Sequence, residues 1–223
     1  MNDFLPLLAI ETSDNICGAC LYYEDNKYFS SKIVLKHSHS EKLFELIKSV
    51  CNQAETTLTE IKSIAVSNGP GSFTGLRIGM SAAKGIAFAS NLPIITVPTF
   101  EALALQLSNH LPENSEFIIA NKVGRDELYY AKFQIKSNNY IFQQELKIIH
   151  ITELQSLAKD CLIFGNVDSE NTAGTFELKK ISAPNPEYVA KWAASFGKKI
   201  SVDEIDFLEP NYLKDFIVKE KRL

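Results

Sequence analysis

The chain has no long hydrophobic run. LLAI, SIAV and PIITV fall far short of the roughly 20 apolar residues a membrane span requires, and MNDFLPLLAI lacks a basic n-region. No membrane association is expected, and a cytoplasmic protein fits. An excess of positive charge is missing too. The formal charge is −4, which argues against a broad basic surface gripping nucleic acid through many phosphates, so any contact with RNA would be shared with another protein. Cysteine is scarce. Cys17, Cys20, Cys51 and Cys161 make no disulfide framework for a chain this long, and free thiols in a reducing compartment are expected. The close pair Cys17 and Cys20 lies in the strand-like ICGACLYY, where an odd separation sends side chains to opposite faces and rules out a shared metal. Histidine offers no better ligand set. His37 and His39 form HxH without a third ligand at useful spacing and read as a solvated pair at a helix start, while His110 and His150 stand alone. No metal site is expected. Internal repeats and low-complexity tracts are absent. What remains, 45% hydrophobic and 22% charged over 223 residues, is enough for one large domain or two compact lobes.

The first hundred residues alternate clearly. LLAIET (7–12), ICGACLYY (16–23) and YFSSKIVL (28–35) predict three strands joined by turns of hairpin length. Ser38 and Glu41 form a capping box opening a helix over 39–54, whose apolar stripe is Leu43, Phe44, Ile47, Val50, Cys51 and Ala54. A strand over 63–68, a helix over 75–90, a strand over 93–98 and a helix over 99–109 with Thr99 as its N-cap complete the order βββαβαβα. That order favours an α/β sheet covered by helices. Beyond residue 110, EFIIAN, ELYYAKFQIK and YIFQQELKIIH predict strands, ITELQSLAKD a short helix leading into CLIFG, and residues 186–198 a helix before EPNYLK and a solvated KEKR tail. Two closely packed lobes are expected: 1–109, carrying the first two helices, and a smaller α/β lobe over 110–223 with a C-terminal tail.

The stretch SNGPGSFTGLRIGMSAAKGIA (67–87) invites comparison with phosphate-binding loops. A Walker A loop needs Lys and Ser or Thr after its last glycine, but Leu76 and Arg77 follow Gly75. A dinucleotide fingerprint needs a third glycine where Thr74 stands. Gly69, Gly71, Ser72, Thr74 and Arg77 leave open an anion nest, an interface loop or a structural turn. The helix that follows carries Gly75, Gly79, Ala82, Ala83, Gly85 and Ala89, although each interior glycine costs about 1 kcal/mol against alanine. Close approach of another backbone would offset that cost, within the chain or from a second one. Ser13, Ser72 and Ser81 lie in neither GxSxG nor SxxK, so a serine hydrolase is not expected.

GPGSFTGLRIG with AAKGIA after it, and AIETS and HSEKL before it, closely resembles the TsaB (YeaZ) family, the partner subunit in bacterial threonylcarbamoyladenosine synthesis on tRNA and a relative of the catalytic TsaD. The resemblance covers residues 7 to about 105, with weaker support from GRDELYY (124–130) and EPNYLK (209–214). It implies a two-lobed actin, sugar-kinase and Hsp70-like (ribonuclease H-like) α/β fold with a βββαβαβα first lobe. It further implies a noncatalytic scaffold for a TsaD-like subunit in forming N6-threonylcarbamoyladenosine at position 37 of tRNA. A TsaE-like ATPase would be a second partner, tRNA would be met through the complex, and the chain could form a homodimer without the partner. Partner-binding residues would be Phe44, Ile47, Cys51, Gly75, Ile78, Gly79, Ala82, Ala83 and Ile86. No cofactor is expected on this chain alone, although an adenine nucleotide could lie at the complex interface. Catalytic relatives carry an HxxxH metal pair where this chain has Glu101 and Leu105; they commonly carry an aspartate where it has Lys122, and of their glycine motif FGNV keeps Gly165. A catalytically inactive subunit is therefore implied. Glu11 and Asp14, in the first hairpin where the superfamily meets phosphate or metal, read as hydrogen-bonded strand-end carboxylates. The alternatives are an independent nucleotide-dependent phosphotransferase, a metallopeptidase of the same superfamily, or a homodimeric binding protein.

Overall fold

The computed structural model describes residues 4–35, 39–158, 161–167, 178–200 and 202–213. Strand β1 (Leu7–Glu11) is buried along its whole length, as a strand covered on both faces must be. Parity divides it: Leu8 and Ile10 enter one core cluster, Leu7 and Ala9 the other. An antiparallel meander with β2 (Ile16–Glu24) and β3 (Lys27–Val34) leads to helix α1 (His39–Gln53). Strand β4 (Ser63–Gly69), helix α2 (Phe73–Ser90) and strand β5 (Ile94–Pro98) follow, with β4 parallel to β1 and β5 parallel to β4. Helix α3 (Thr99–Ser108) then leads to a second meander, β6 (Glu116–Lys122), β7 (Glu127–Lys136) and β8 (Asn139–His150). Short helix α4 (Leu154–Leu157), β9 (Leu162–Gly165), β10 (Leu178–Lys179), α5 (Pro186–Phe196), β11 (Lys199–Ile200) and 3-10 turns over Leu58–Glu60, Ile151–Glu153 and Val202–Phe207 complete the described elements.

The strand orders are β11-β5-β4-β1-β2-β3 and β10-β9-β6-β7-β8. Setting β11 aside, both sheets place their third, second, first, fourth and fifth strands side by side, with the last two parallel to the first. This is the duplicated ribonuclease H-like plan of the two-lobed actin-like fold.

Helices cross between the sheets. Helices α1 and α2 cover one face of the first sheet, and α5, arriving from the far end of the chain, covers the other with Val189, Ala190, Trp192 and Ala193. Helix α3 follows the first sheet yet packs Phe100, Leu103, Ala104 and Leu107 against Phe117, Ile119 and Phe133 of the second. Polar bonds fasten the crossing. Trp192 Nε1 donates to Tyr140 Oη at 2.9 Å, Tyr140 Oη donates to Glu101 Oε2 at 2.7 Å, and Asn185 N donates to Gln106 Oε1 at 2.7 Å.

Cys17 and Cys20 fall in opposite core clusters, as strand parity requires, and burial pushes the Cys17 thiol up to about 11. Three local readings need correction. Helix α2 begins at Phe73, because Ser72 is its N-cap, accepting from Gly75 N at 3.3 Å. Thr99 does not cap α3; Pro98 holds that position, and buried Thr99 turns its hydroxyl to accept from Gly69 N at 3.2 Å. His39 is not solvated: it is buried at the start of α1, with Nε2 donating to Ile16 O at 3.1 Å. His37, Ser38 and the KEKR tail lie outside the described residues. No helix among the described residues is long and apolar enough to cross a membrane.

Candidate functional site

Parallel pairing sets the ends of β1 and β4 side by side, where buried Glu11 closes the first strand. Its carboxylate accepts from Ser13 N and Ser13 Oγ, each at 2.5 Å, and from Ser67 Oγ. Burial dominates and pushes Glu11 up to about 7, while the hydrogen bonds from Ser13 and Ser67 pull the other way. The carboxylate therefore ties the two strand ends together. Ser13 O in turn accepts from Ser72 N at 2.6 Å, which fixes the cap of α2.

The glycines show what lies against this corner. A Cβ on Gly71 would overlap Ser13 O, one on Gly75 would overlap Thr12 O, and one on Gly79 would overlap Thr12 Oγ1. Thr12 Oγ1 also donates to Gly75 O at 2.8 Å. The close approach is thus internal at these positions: the first two turns of α2 rest on the end of β1, so Gly75 and Gly79 face Thr12. Gly69, with φ +116°, has a different constraint, since a Cβ there would stand 2.8 Å from Asn211 O. Three donors of the loop and the first turn are spent within the chain: Gly69 N on Thr99, Ser72 N on Ser13 and Gly75 N on Ser72. These bonds and the contact of Gly71 with Ser13 O hold the 69–72 loop tightly against the end of β1.

Of the residues that resemblance assigned to a partner, Ile47, Cys51, Ala83 and Ile86 are buried in the first lobe's core. Phe44, Ile78 and Ala82 line an open groove between α1 and α2, about 550 Å³, with Leu43, Phe73, Ser40, Thr74, Arg77 and Ser81. Phe44, on the same apolar stripe as buried Leu43 and Ile47, is 58% exposed. Farther along α2, Phe88 is 78% exposed. An exposed apolar surface of this kind marks a contact site more often than a chance decoration. Arg77 sits at the groove with its guanidinium carbon 3.9 Å from the Phe73 ring centroid, and its Nε donates to Tyr212 Oη at 3.0 Å. Tyr212 falls within EPNYLK, a segment whose sequence gave no sign that it would reach α2.

Between the lobes, Asp14, Asn15, Gly165, Asn166, Val167, Lys180 and Ser182 line a cleft of about 230 Å³. Asn166 Nδ2 bridges it, donating to Asp14 Oδ2 at 3.2 Å, while Asn166 Oδ1 accepts from Lys122 N at 2.7 Å. Glu101 is engaged by Tyr140, and Leu105 packs beside the α5 cluster. His150 turns Nδ1 to Thr152 at 2.8 Å. Among the described residues no three His, Cys, Asp or Glu side chains gather as metal ligands.

Comparison with known proteins bears on this arrangement. Residues 32–158, more than half the chain, match the family model described as TsaD: tRNA N6-adenosine threonylcarbamoyltransferase. A tRNA threonylcarbamoyladenosine biosynthesis protein TsaB from Haemophilus influenzae is 25% identical over 97% of this chain and 97% of its own length. The chain belongs to this family, on its TsaB (YeaZ) branch. The two kinds of relative differ in extent. A tRNA N6-adenosine threonylcarbamoyltransferase from Staphylococcus saprophyticus is 32% identical, but over 59% of this chain and 44% of its own length. The TsaB likeness runs end to end. The fold has a solved counterpart in a Pseudomonas aeruginosa protein described as similar to peptidase YEAZ, with a TM-score of 0.78 at 22% identity, covering 93% of this chain and 99% of the other.

Proposed function

We propose that this TsaB-family chain acts in tRNA threonylcarbamoyladenosine biosynthesis as the noncatalytic partner of a TsaD-like subunit. The end-to-end match to TsaB carries the reading, and the exposed α1–α2 groove supplies a surface for it. Helices from two chains can pack at 8–10 Å where small side chains admit them; exposed Ser81 and Gly85 keep the outer face of α2 low, and buried Ala82 does the same at the groove. The same surface supports self-pairing when the partner is missing.

Catalytic inactivity is part of this reading. The positions of the metal pair are taken by Glu101, which accepts from Tyr140, and by the hydrocarbon of Leu105. The interlobe cleft, bridged by Asn166 and Asp14, favours an adenine nucleotide at the complex interface over one held by this chain alone. It also weighs against an independent phosphotransferase. A TsaE-like ATPase completes the assembly, tRNA is met through the complex, and the cytoplasm is where it works.

Reconstitution tests the proposal. The chain, a TsaD-like subunit and a TsaE-like ATPase would be assayed for modified nucleoside in tRNA, omitting each in turn. Modification should be lost without this chain, and the chain alone should neither modify tRNA nor hydrolyse ATP. Turnover by the isolated chain, abolished by Glu11→Gln, would refute the noncatalytic role.

A further inference from the structure

Among the described residues, Arg77 is the only charged one lining the α1–α2 groove, and it is held in place. Its guanidinium carbon lies 3.9 Å from the Phe73 ring centroid and 5.8 Å from that of Tyr212, whose hydroxyl accepts its Nε–H. The two rings are themselves 5.0 Å apart. A guanidinium carries five N–H donors in a rigid fork suited to a carboxylate. Among the described residues one of these bonds to Tyr212 and no carboxylate pairs with the rest.

The tyrosine is placed by the segment before it. Lys84 Nζ donates to Asp206 O at 3.2 Å, Ile205 is buried in the α1–α2 core, Leu208 packs against it, and Asn211 N donates to Asn68 O at 2.7 Å. Residues 205–212 thus run antiparallel to α2 over more than two turns and end on Phe73 and Arg77. An exposed arginine ordinarily samples many rotamers; stacking and a fixed acceptor remove that freedom before anything binds.

We propose that residues 205–212 are a strap that presents Arg77 to a carboxylate on the apolar helix of the partner seated in the groove. Arg77 is then a specificity-determining residue and Tyr212 its positioning residue. This rests on the groove being the docking site of the TsaD-like subunit. The chemistry of the occupant follows from the lining: Leu43, Phe44, Phe73, Ile78 and Ala82 suit an apolar helix face, and one cation calls for one acidic side chain. A phosphate backbone would need several cations.

Calorimetric titration of the TsaD-like subunit into the full-length chain, at low and high salt, tests this. Arg77→Ala should weaken binding about tenfold and flatten its salt dependence, as loss of a charged interface pair does. Arg77→Lys, which keeps the charge without the fork, should fall between. Tyr212→Ala should approach Arg77→Ala, and the double variant should bind no worse than Arg77→Ala, because the tyrosine acts through the arginine. If Tyr212→Ala fails to fold, Tyr212→Phe decides: it keeps the ring and should lose about threefold. A wild-type complex that tolerates Arg77→Ala, or strictly additive losses in the double variant, overturns the inference. So does Arg77→Ala losing direct tRNA binding while partner binding stays normal. A wild-type chain that never binds the TsaD-like subunit removes the docking reading itself, and the strap's role with it.

Discussion

The two sheets have one strand plan and different coverings. In the first lobe, β3 reaches β4 through the fifteen-residue α1, and β4 reaches β5 through the eighteen-residue α2. In the second, β8 reaches β9 through a 3-10 turn and the four-residue α4, whose Leu154 seals a core formed with Ile118, Leu128, Tyr130 and Ile163. A helix of one turn can close a core but cannot also present an outer face. Two long helices on one side of a sheet can do both, and the groove between α1 and α2 is the result. Topology here sets the scaffold, and helix length decides which lobe has a surface to offer.

The contrast is sharpest along α2, where Gly79 meets Thr12 and Gly85 meets nothing within 4 Å. Gly79→Leu should destabilise the chain by about 3 kcal/mol or more, since the helix would have to leave the strand end; urea unfolding would show it. If Gly79→Leu were as stable as wild type, the close approach would not be what holds the corner.

The corresponding strand ends form a second contrast. Ile10 and Val66 are the last paired residues of β1 and β4, and Ala120 and Gly165 those of β6 and β9. The next residue is Glu11 in one lobe and Asn121 in the other, both buried. Burial raises Glu11 to about 7 from 4.5, so between these pH values the folded state holds a proton that the unfolded state has released. Its contribution is complete below about pH 4.5 and is lost as pH rises through 7, an effect of up to about 3 kcal/mol. Glu11→Gln should flatten the stability profile from pH 5 to 8, measured by urea midpoints. An unchanged slope would mean that Glu11 does not titrate there. Asn121 donates to Ser182 O at 2.7 Å and accepts from Asn166 N at 3.2 Å. Asn121→Ala should cost about 2 kcal/mol, equally at both ends of that pH range. The mildest change is Gly85→Ala, which adds a methyl in open space and should stabilise α2 by about 1 kcal/mol, seen as a higher thermal midpoint.

The sequence made the first lobe legible because short apolar strands alternate with longer helical stretches and its turns are short. The parity that separates Cys17 from Cys20 was readable for the same reason. His39 was not, because HxH looks polar while its partner, Ile16 O, lies on a strand more than twenty residues back. Gly75 and Gly79 announce that something stands close without saying what; Thr12 is distant in sequence and adjacent through β1. Phe44 shares the spacing of the core stripe yet lies at its edge, where periodicity cannot separate a groove wall from a core. The likeness of the two sheets left no repeat in the residues, since only the order of strands is shared. Tyr212 is the plainest omission: a lone aromatic in a short segment carries no periodic signal, and its contact with Arg77 spans more than half the chain.

The exchange of α3 and α5 has a mechanical consequence. Each sheet is roofed by a helix that the chain enters from a strand of the other, α3 from β5 and α5 from β10, so pulling the lobes apart would strip both cores at once. Such interlocking leaves no half to melt by itself, and heat should undo the molecule in a single cooperative step. It also makes the body stiff against shear, so a load applied at the outer face of α2 is borne by both sheets together.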